Sequence, residues 1–304
     1  MFFTIVVFYS KMPELLSRFK SRNPKMKKTP LWSAVLDHLC LETSQPDAMR
    51  QFYCKALGLK EHTINKNSWL FEGPGRRLII TEGSSNRLAY SGFSVTDDTK
   101  LINLRNYILK QGGTPTDNLS PLVQQGAFAV ADPDGNKLCF GVRKQPNSVK
   151  EGLEGRLQHV VVASPNLSEM MQYYEDVLGF LPSDLVKKDG EQVTAAFYRS
   201  NPEHHSFAAF AADKQGFDHC AFETPSWNHI RDWADHLAAF DIPIWWGPGR
   251  HGAGNNLFFM VLDPDGNKIE FSAELELMDW DHPARYWPHD QRTLNLWGNA
   301  WMRS

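Results

Sequence analysis

Residues 37–59 read DHLCLETSQPDAMRQFYCKALGL, and residues 158–180 read QHVVVASPNLSEMMQYYEDVLGF. In both stretches a histidine precedes a glycine by twenty residues, and a tyrosine and a leucine stand at matching places between them. Such spacing is hard to obtain by chance, so the two stretches indicate two copies of one structural unit.

A second matched pair lies further along the chain. Residues 132–140 read DPDGNKLCF, and residues 263–271 read DPDGNKIEF. The copies lie more than 100 residues apart, which is too long a period for a solenoid. The sequence therefore predicts two copies of one supersecondary module.

Each copy has the pattern of a strand, a helix and then further strands. Apolar residues at helical spacing predict a helix that ends at Gly58 in one copy and at Gly179 in the other, since glycine most easily adopts the left-handed backbone that follows a helix. A second helix is expected near 98–111 and near 227–239. The DPDG tetrads fit hairpin turns and carry no function by themselves.

The composition is that of an ordinary globular protein. The chain has 304 residues, enough for two domains, and its 32 basic and 35 acidic residues are spread along it. This balance argues against nucleic acid and against a membrane as partners. The cysteines are Cys40, Cys54, Cys139 and Cys220. Because they form no CxxC pair, they predict reduced thiols, no disulfides and a cytoplasmic protein.

The repeat divides the chain into four segments. Residues 1–28 are an N-terminal extension, expected to be loosely ordered, since its apolar run is too short to span a bilayer and is not followed by an export cleavage pattern. The modules are expected at 29–148 and 149–276. Residues 277–304 form a tryptophan-rich tail, which we expect to cover the body of the protein or to contact another subunit of a homo-oligomer.

Strand alternation brings three candidate metal ligands together in the second module. Ile269 and Phe271 share the strand face that would pack under a helix, so Glu270 points to the opposite, concave side. His159 and His219 stand in the same relation to their own apolar neighbours. A single histidine in a strand is usually structural, but two imidazoles and a carboxylate on one concave face form a typical ligand set for a mononuclear metal.

The first module provides an internal control for this site. The repeat places His38 opposite His159, but it places Tyr90 and Cys139 where the second module has its other two candidate ligands. The first copy cannot form the same triad. A thiolate and an imidazole suit a softer metal, but a scaffold and interface role is the simpler interpretation.

Three motifs carry a resemblance to a known family: LQHVVVA at 157–163, FDHCAFE at 217–223 and GPGRHGAGNNLFFMVLDPDGNKIEF at 247–271. Together with the paired modules, they resemble the vicinal oxygen chelate superfamily over about residues 33–276, and within it the type I extradiol ring-cleavage dioxygenases. The resemblance implies an α+β fold of two tandem βαβββ modules, the glyoxalase/bleomycin-resistance/extradiol dioxygenase fold. Each module would be a cup of curved mixed sheet with its helices outside.

The resemblance also implies a metal, Fe(II) or alternatively Mn(II), bound by His159, His219 and Glu270. Three ligands on one face of an octahedral ion leave three positions, the number needed for the two hydroxyl oxygens of a vicinal diol and for dioxygen. Chelation would lower the pKa of the diol, and holding both reactants together would remove much of the entropic cost of their encounter.

Further site residues follow from the resemblance one at a time. In PEHHSFAAF, the family's pattern of a histidine three residues before an alanine falls on His205, the candidate acid and base, with His204 as the fallback. His251 matches a family histidine that hydrogen-bonds the substrate, and Phe197 matches a wall of the ring pocket. Each has a plainer alternative: a solvated histidine pair, a glycine-rich turn and a core phenylalanine.

Two positions depart from the family pattern. Met260 stands where the family usually has a tyrosine that contacts a substrate oxygen, and a missing donor of this kind costs about 1 to 3 kcal/mol if its partner stays buried. Tyr198 or Tyr286 could substitute for it. Trp246 stands where some arylacetate-cleaving members have a basic residue, which favours a neutral or larger aromatic diol as the substrate.

The sequence thus predicts an iron-dependent extradiol dioxygenase that opens a catechol-type diol with O2 to a semialdehyde or keto acid. Two alternatives stay open. One is a non-oxidative, glyoxalase-like lyase or isomerase, which usually has four protein ligands across paired modules. The other is a binding protein that sequesters a ligand. The missing ligands of the first module argue against the lyase or isomerase. The complete triad of the second module argues against the binding protein.

Overall fold

The computed structural model describes residues 28–144 and 149–301, and its elements form two modules. The first module contains β1 (Val35–Thr43), α1 (Pro46–Gln51), β2 (Lys60–Asn65), β3 (Ser68–Gly73), β4 (Arg76–Glu82), β5 (Arg87–Val95), α2 (Asp98–Lys110), β6 (Thr116–Asp117), β7 (Phe128–Ala131) and β8 (Lys137–Val142). The expectation for residues 1–28 falls, apart from Lys28, outside the described residues.

The second module repeats this order and ends in a short extension. It contains β9 (Arg156–Ser164), α3 (Leu167–Gln172), β10 (Leu181–Lys188), β11 (Gln192–Arg199), β12 (Phe207–Ala211), β13 (Gly216–Glu223), α4 (Trp227–Ala238), β14 (Trp246–Arg250), β15 (Leu257–Leu262) and β16 (Lys268–Ala273). The extension adds β17 (Arg285–Pro288) and α5 (Gln291–Leu294).

Each module forms one mixed sheet. The first has the strand order β2-β3-β4-β1-β5-β8-β7-β6, and the second has β14-β15-β16-β13-β9-β12-β11-β10-β17. In both, the first strand of the module pairs parallel to one neighbour and antiparallel to the other. Two modules of mixed sheet with few helices confirm the fold expected from the sequence.

The helices lie where the sequence predicts them. The structure confirms α2 and α4 to within a residue of the expected ranges. After α1 and α3 the chain continues through a π-helical turn, Phe52–Ala56 and Tyr173–Leu178. The second turn ends directly before Gly179 and the first ends two residues before Gly58. The φ angles are 63° at Gly58 and 81° at Gly179, a backbone conformation that is unfavourable for residues with a Cβ.

A continuous apolar core lies between the sheets and the helices. It includes buried residues of both modules. Tyr174 of the second module stacks on Phe207 with ring centroids 3.9 Å apart, and Phe93 of the first module meets Phe180 of the second edge to face at 5.5 Å. The helices therefore cover one face of each sheet, and the other face remains available for a site.

Two matching hydrogen bonds join the modules. The hydroxyl of Tyr53 donates to Oδ2 of Asp263 at 3.0 Å, and the hydroxyl of Tyr174 donates to Oδ2 of Asp132 at 3.1 Å. All four side chains are buried. Each aspartate is the first residue of a DPDG turn, so the turns also bind the opposite module, a role that was not predicted from the sequence.

Arg76 makes a further contact between the modules. Its side chain is buried in the fold, and its guanidinium lies 4.7 Å from the ring centroid of Trp233 and 5.7 Å from that of Phe222. One guanidinium nitrogen donates to the carbonyl oxygen of Leu153 at 3.0 Å. Burial lowers the pKa of Arg76 to about 9, so the group is still charged at neutral pH.

The structure describes all four cysteines. All four are free thiols, and burial raises the pKa of Cys139 to about 11. This thiol is protonated at neutral pH and is therefore not a ready metal ligand. Among the described residues, no helix is both long and apolar enough to cross a membrane.

Candidate active site

Three neighbouring strands of the second sheet carry the candidate ligands. β13 lies between β9 and β16, and its residue Ala221 is paired with His159 on one side and with Glu270 on the other. His219 lies two residues before Ala221. Because side chains two residues apart share a face of a strand, all three groups point into the concave side of the sheet.

The ligand atoms of the three side chains converge. They all lie within 4.8 Å of one another. Oε2 of Glu270 is 3.8 Å from Nε2 of His159 and 3.5 Å from Nε2 of His219. These distances are too long for hydrogen bonds but short enough for one cation to reach all three atoms. The three side chains are buried, so two imidazoles and a carboxylate fit a divalent metal ion at this point.

The electrostatics of the site favour the protonation states that bind a metal. Burial lowers the pKa of His219 to about 3 and also lowers the pKa of His159. Burial alone would raise the pKa of Glu270, but the imidazoles of His159 and His251 lower it well below its ordinary value. Two neutral imidazoles face an ionised carboxylate, and these are the forms that donate lone pairs to a metal.

Further polar groups orient two of the ligands. Nδ1 of His219 donates to Oδ1 of Asp218 at 2.5 Å, and Oδ2 of Asp218 accepts from Lys268 at 2.8 Å. The proton is thereby held on Nδ1, so the lone pair of Nε2 faces the site. Asn256 donates to Oε1 of Glu270 at 3.1 Å, which leaves Oε2 for the metal. Asp218 and Asn256 were not predicted from the sequence, although each lies inside a motif quoted above.

A cavity of about 220 Å3 opens above the ligands. His205 lines it, with its ring centroid 4.2 Å from that of His159 and 5.1 Å from that of Phe197. Met260 and Trp246 also line the wall. The structure therefore brings the site residues named from the sequence to one cavity, except for His204, which lies behind His205 and does not line it.

His251 is held from two sides. Its ring stacks on Phe258 with centroids 3.8 Å apart and planes 3° apart. Its Nδ1 donates to the carbonyl oxygen of Leu294 at 2.5 Å, and its Nε2 lies 3.9 Å from Oε2 of Glu270. With Nδ1 as the donor of this hydrogen bond, Nε2 is the ring nitrogen that remains for the cavity.

The C-terminal segment forms part of the cavity wall. Thr293, Leu294 and Trp301 line it, and the ring of Trp301 lies 4.4 Å from Nζ of Lys268. The indole of Trp246 donates to the carbonyl oxygen of Asn299 at 3.2 Å. The part of the tail that the structure describes thus packs against the second module and contributes to the wall of the cavity.

Neither tyrosine suggested as a substitute at Met260 reaches the cavity. The hydroxyl of Tyr198 donates to Glu175 on α3's π-helical extension, 3.1 Å away. Tyr286 packs against the core and under Lys187, and neither tyrosine lines the cavity. The suggestion was wrong because Tyr198 lies on the strand face that packs against the helices.

The cup of the first module has a different arrangement. His38 donates from Nδ1 to Asp37 at 2.7 Å, and its Nε2 lies 2.6 Å from the hydroxyl of Ser120. Strand pairing places Tyr90 and Cys139 where the second module has His219 and Glu270. Both nitrogens of His38 are engaged. Within the described ranges, the triad of the second module is the only such cluster of three metal-binding side chains.

Comparison with known proteins places this geometry in a family. The family model of the Glyoxalase/Bleomycin resistance protein/Dioxygenase superfamily matches residues 35–140 and 156–271. Metapyrocatechase 2 of Cupriavidus necator is 29% identical over 292 residues, with 86% of this chain and 88% of that protein covered. A manganese-dependent 2,3-dihydroxybiphenyl 1,2-dioxygenase of Geobacillus genomosp. 3 is 29% identical over 301 residues, with 89% and 95% covered.

Solved structures give the same picture of the fold. The Mn(II)-bound glyoxalase from Novosphingobium aromaticivorans is 25% identical, with a TM-score of 0.72 and coverage of 87% of this chain and 90% of that one. Homoprotocatechuate 2,3-dioxygenase from Arthrobacter globiformis is 23% identical, with a TM-score of 0.77 and coverage of 91% of both chains, and it supports the fold alone. The resemblance to extradiol dioxygenases is confirmed, and the chain belongs to the Glyoxalase/Bleomycin resistance protein/Dioxygenase superfamily.

Proposed function

We propose that this chain is an Fe(II)-dependent extradiol dioxygenase that cleaves a catechol-type diol with O2 to a ring-opened semialdehyde or keto acid. The observation that carries the proposal is the one-sided triad: His159, His219 and Glu270 converge from the sheet, and the cavity opens on the other side. A divalent ion held there would supply positive charge that favours loss of the diol's protons, and an open face for both reactants.

The residues around the cavity have distinct proposed roles. The ring of the diol would pack against Phe197, Met260 and Trp246, which gives the wall an apolar character and excludes water. His251 would position the substrate by accepting a hydrogen bond from a hydroxyl at Nε2, because its Nδ1 already donates to a carbonyl oxygen. His205 would accept and return a proton during the reaction, a task that suits an imidazole.

The identity of the metal and the roles of the two modules are part of the same proposal. Iron is favoured by the similarity to an iron-dependent extradiol dioxygenase of Rhodococcus jostii, 25% identical over 292 residues. The manganese-dependent relative makes Mn(II) the alternative. We further infer that module 149–276 carries the chemistry and that module 29–148 serves as its scaffold, since Tyr90 and Cys139 replace two of the ligands.

A glyoxalase-type lyase or isomerase is the second candidate. The similarity to a Mn(II)-bound glyoxalase favours it. However, the candidate ligands come from one module, and the first cup holds His38 in hydrogen bonds to Asp37 and Ser120. The dioxygenase is therefore the better supported function.

The two candidates are separated by one experiment. The protein is loaded anaerobically with Fe(II) or Mn(II), and oxygen uptake and the yellow ring-opened product are followed over a panel of catechols with neutral and anionic substituents. We expect uptake with neutral, larger diols and none in His219→Ala. The exposed His62 gives a matched control, His62→Ala, which should keep full activity. If the fully metal-loaded protein consumes no oxygen with any diol but isomerises a hemithioacetal, the glyoxalase-type function replaces the dioxygenase.

A further inference from the structure

The cavity extends along β11 away from the candidate metal ligands. Phe197 marks its inner end, because its ring centroid lies 5.1 Å from that of His205, which lies 4.2 Å from that of His159. Gln192 is the first residue of β11 and also lines the cavity. Since a strand rises about 3.3 Å per residue, the two ends of this wall lie about 15 Å apart. The cavity is therefore longer than a single catechol ring and has room for a substituent.

The wall between the two ends is apolar as far as Thr194. Val186, Ala195 and Phe197 belong to one cluster of buried apolar residues, and all three line the cavity. Thr194 follows at the outer end of this cluster. In a pocket with a mainly apolar lining, the few polar groups fix the orientation of the ligand and provide specificity. The position of Thr194 therefore indicates where a substituent would meet a polar partner.

A β-bulge turns Thr194 towards the cavity. β10 and β11 pair Val186 with Ala195, and their next pair is Lys187 with Val193. Thr194 is thus the extra residue of β11. Successive residues of a regular strand face opposite sides, but Thr194 and Ala195 both line the cavity. Bulges are common beside active sites, where they redirect a side chain.

The hydroxyl of Thr194 is joined to His289. Nδ1 of His289 lies 2.8 Å from Oγ1 of Thr194. His289 directly follows β17, and its backbone N–H donates to the carbonyl oxygen of Lys187 at 2.9 Å. Both Thr194 and His289 are half-buried and line the cavity. Because Thr194 engages Nδ1, Nε2 is the ring nitrogen of His289 that remains for the cavity.

We propose that His289, positioned by Thr194, binds a hydroxyl or carbonyl oxygen on a side chain of the diol ring. The substrate class is then a catechol with an uncharged, oxygen-bearing substituent. This inference rests on the dioxygenase proposed above and names the substrate class of the same site. The diol would lie at the metal end beside Phe197, and its side chain would run past Ala195 to His289.

The charges around the outer part of the cavity favour an uncharged group over an anion. Lys188 contributes a positive charge to the lining and Asp290 a negative one, so neither sign prevails there. Lys188 is exposed, and an exposed ion pair contributes little binding free energy. Lys268 also lines the cavity, but its Nζ already donates to Oδ2 of Asp218 at 2.8 Å. A carboxylate would therefore lose hydration at this end without a dedicated cation.

Anaerobic calorimetry tests the substrate class without turnover. The Fe(II)-loaded protein is titrated with catechols whose side chains end in a hydroxyl, a methyl or a carboxylate group, over a series of chain lengths. The hydroxyl compound can pair with Nε2 of His289 in either tautomer, since a hydroxyl both donates and accepts. We expect it to bind about tenfold more tightly than the methyl compound at the best length, the effect of about one hydrogen bond.

Variants of the two residues identify the source of this preference. His289→Phe keeps a flat ring without nitrogens and should abolish the preference, with the affinity for the methyl compound changed less than about twofold. Thr194→Val should reduce the preference, and Thr194→Ser should retain it because the hydroxyl remains. The exposed residues His62 and Thr63 of β2 give the matched controls, His62→Phe and Thr63→Val.

Each other outcome overturns the proposal. Equal affinities for the hydroxyl and methyl compounds in the unmodified protein do so, and so does a preference that survives in His289→Phe. Tightest binding of the carboxylate compound, lost in Lys188→Met, would replace the uncharged class with an anionic one. Absence of binding by every catechol also overturns the proposal. If the hydroxyl compound is preferred but no diol consumes oxygen in air, only the proposed dioxygenase activity fails.

Discussion

Replacing Tyr53 by phenylalanine tests how the two modules are joined. The change removes one oxygen atom, and with it the 3.0 Å hydrogen bond to Asp263 of the other module. The ring can remain in place because the hydroxyl is its only difference from phenylalanine. Tyr53 is fully buried and Asp263 is 5% exposed, so water cannot replace the lost donor without a rearrangement.

The size of the effect depends on pH through Asp263. Burial raises its pKa from 3.8 to about 6, even though Asn267 and Tyr53 hydrogen-bond to it and act in the opposite direction. The folded protein therefore binds a proton between about pH 4 and 6 that the unfolded chain has lost, so stability falls as pH rises through this window and is level above it. The stability lost across this window is about 3 kcal/mol.

The free energy of unfolding that Tyr53→Phe removes should depend on the charge of the Asp263 carboxyl group. At pH 8 the group is ionised, and a hydrogen bond to a charged acceptor contributes about 1.5 to 3 kcal/mol. At pH 5 the group is protonated in the folded state, and a neutral hydrogen bond contributes about 1 kcal/mol. We therefore expect the free energy of unfolding of the variant to be lower by about 2 kcal/mol at pH 8 and by about half of that at pH 5.

Urea unfolding at the two pH values measures this difference. Tyr174→Phe removes the equivalent bond to Asp132, whose pKa burial also raises to about 6, and should repeat the result. Tyr107→Phe is the matched control, because its hydroxyl makes an exposed 3.3 Å bond to a backbone carbonyl and should lose less than about 0.5 kcal/mol. Equal losses at pH 5 and pH 8 would refute the link to the ionised carboxyl group.

Three further changes have defined outcomes. Asp218→Ala frees Nδ1 of His219 and should weaken metal binding about 10- to 100-fold by calorimetry; unchanged affinity would show that the ligand needs no orientation. Gly92→Ala places a Cβ 2.2 Å from the ring of His38 and should cost about 1 to 3 kcal/mol in urea unfolding, with metal affinity unaffected. Met260→Tyr adds a donor to the cavity wall and should raise kcat/KM for the best diol about tenfold; a fall would mean that the methionine serves substrate fit.

The local sequence pattern was sufficient to predict the two repeated modules and the sheet face to which the candidate metal ligands point. The alternation around Glu270 placed its carboxylate on the concave face, and the repeat placed Tyr90 and Cys139 at the equivalent positions of the first sheet. Both inferences need only the two-residue period of a strand. The strand register in the structure agrees with them.

The partners of these residues were not predictable in the same way. Leu294 is 43 residues from His251, and Asp263 is 210 residues from Tyr53. Each pairing depends on how separate elements dock, which no local period encodes. Tyr198 illustrates the same limit, because a tyrosine can face a pocket or a core, and its hydroxyl donates to Glu175 within the helix-covered layer.

The guanidinium of Arg76 beneath Trp233 has a practical consequence for producing the metal-binding half alone. A fragment starting near residue 149 would keep Trp233 and Phe222 but lose the cation that covers their rings, a contact of up to about 2 kcal/mol when desolvated. The indole face of Trp233 would then be exposed to solvent. Asp263 would also lose the hydrogen bond that the hydroxyl of Tyr53 donates to it. Such a fragment should aggregate on expression, and it should become soluble when the first module is co-expressed as a separate chain.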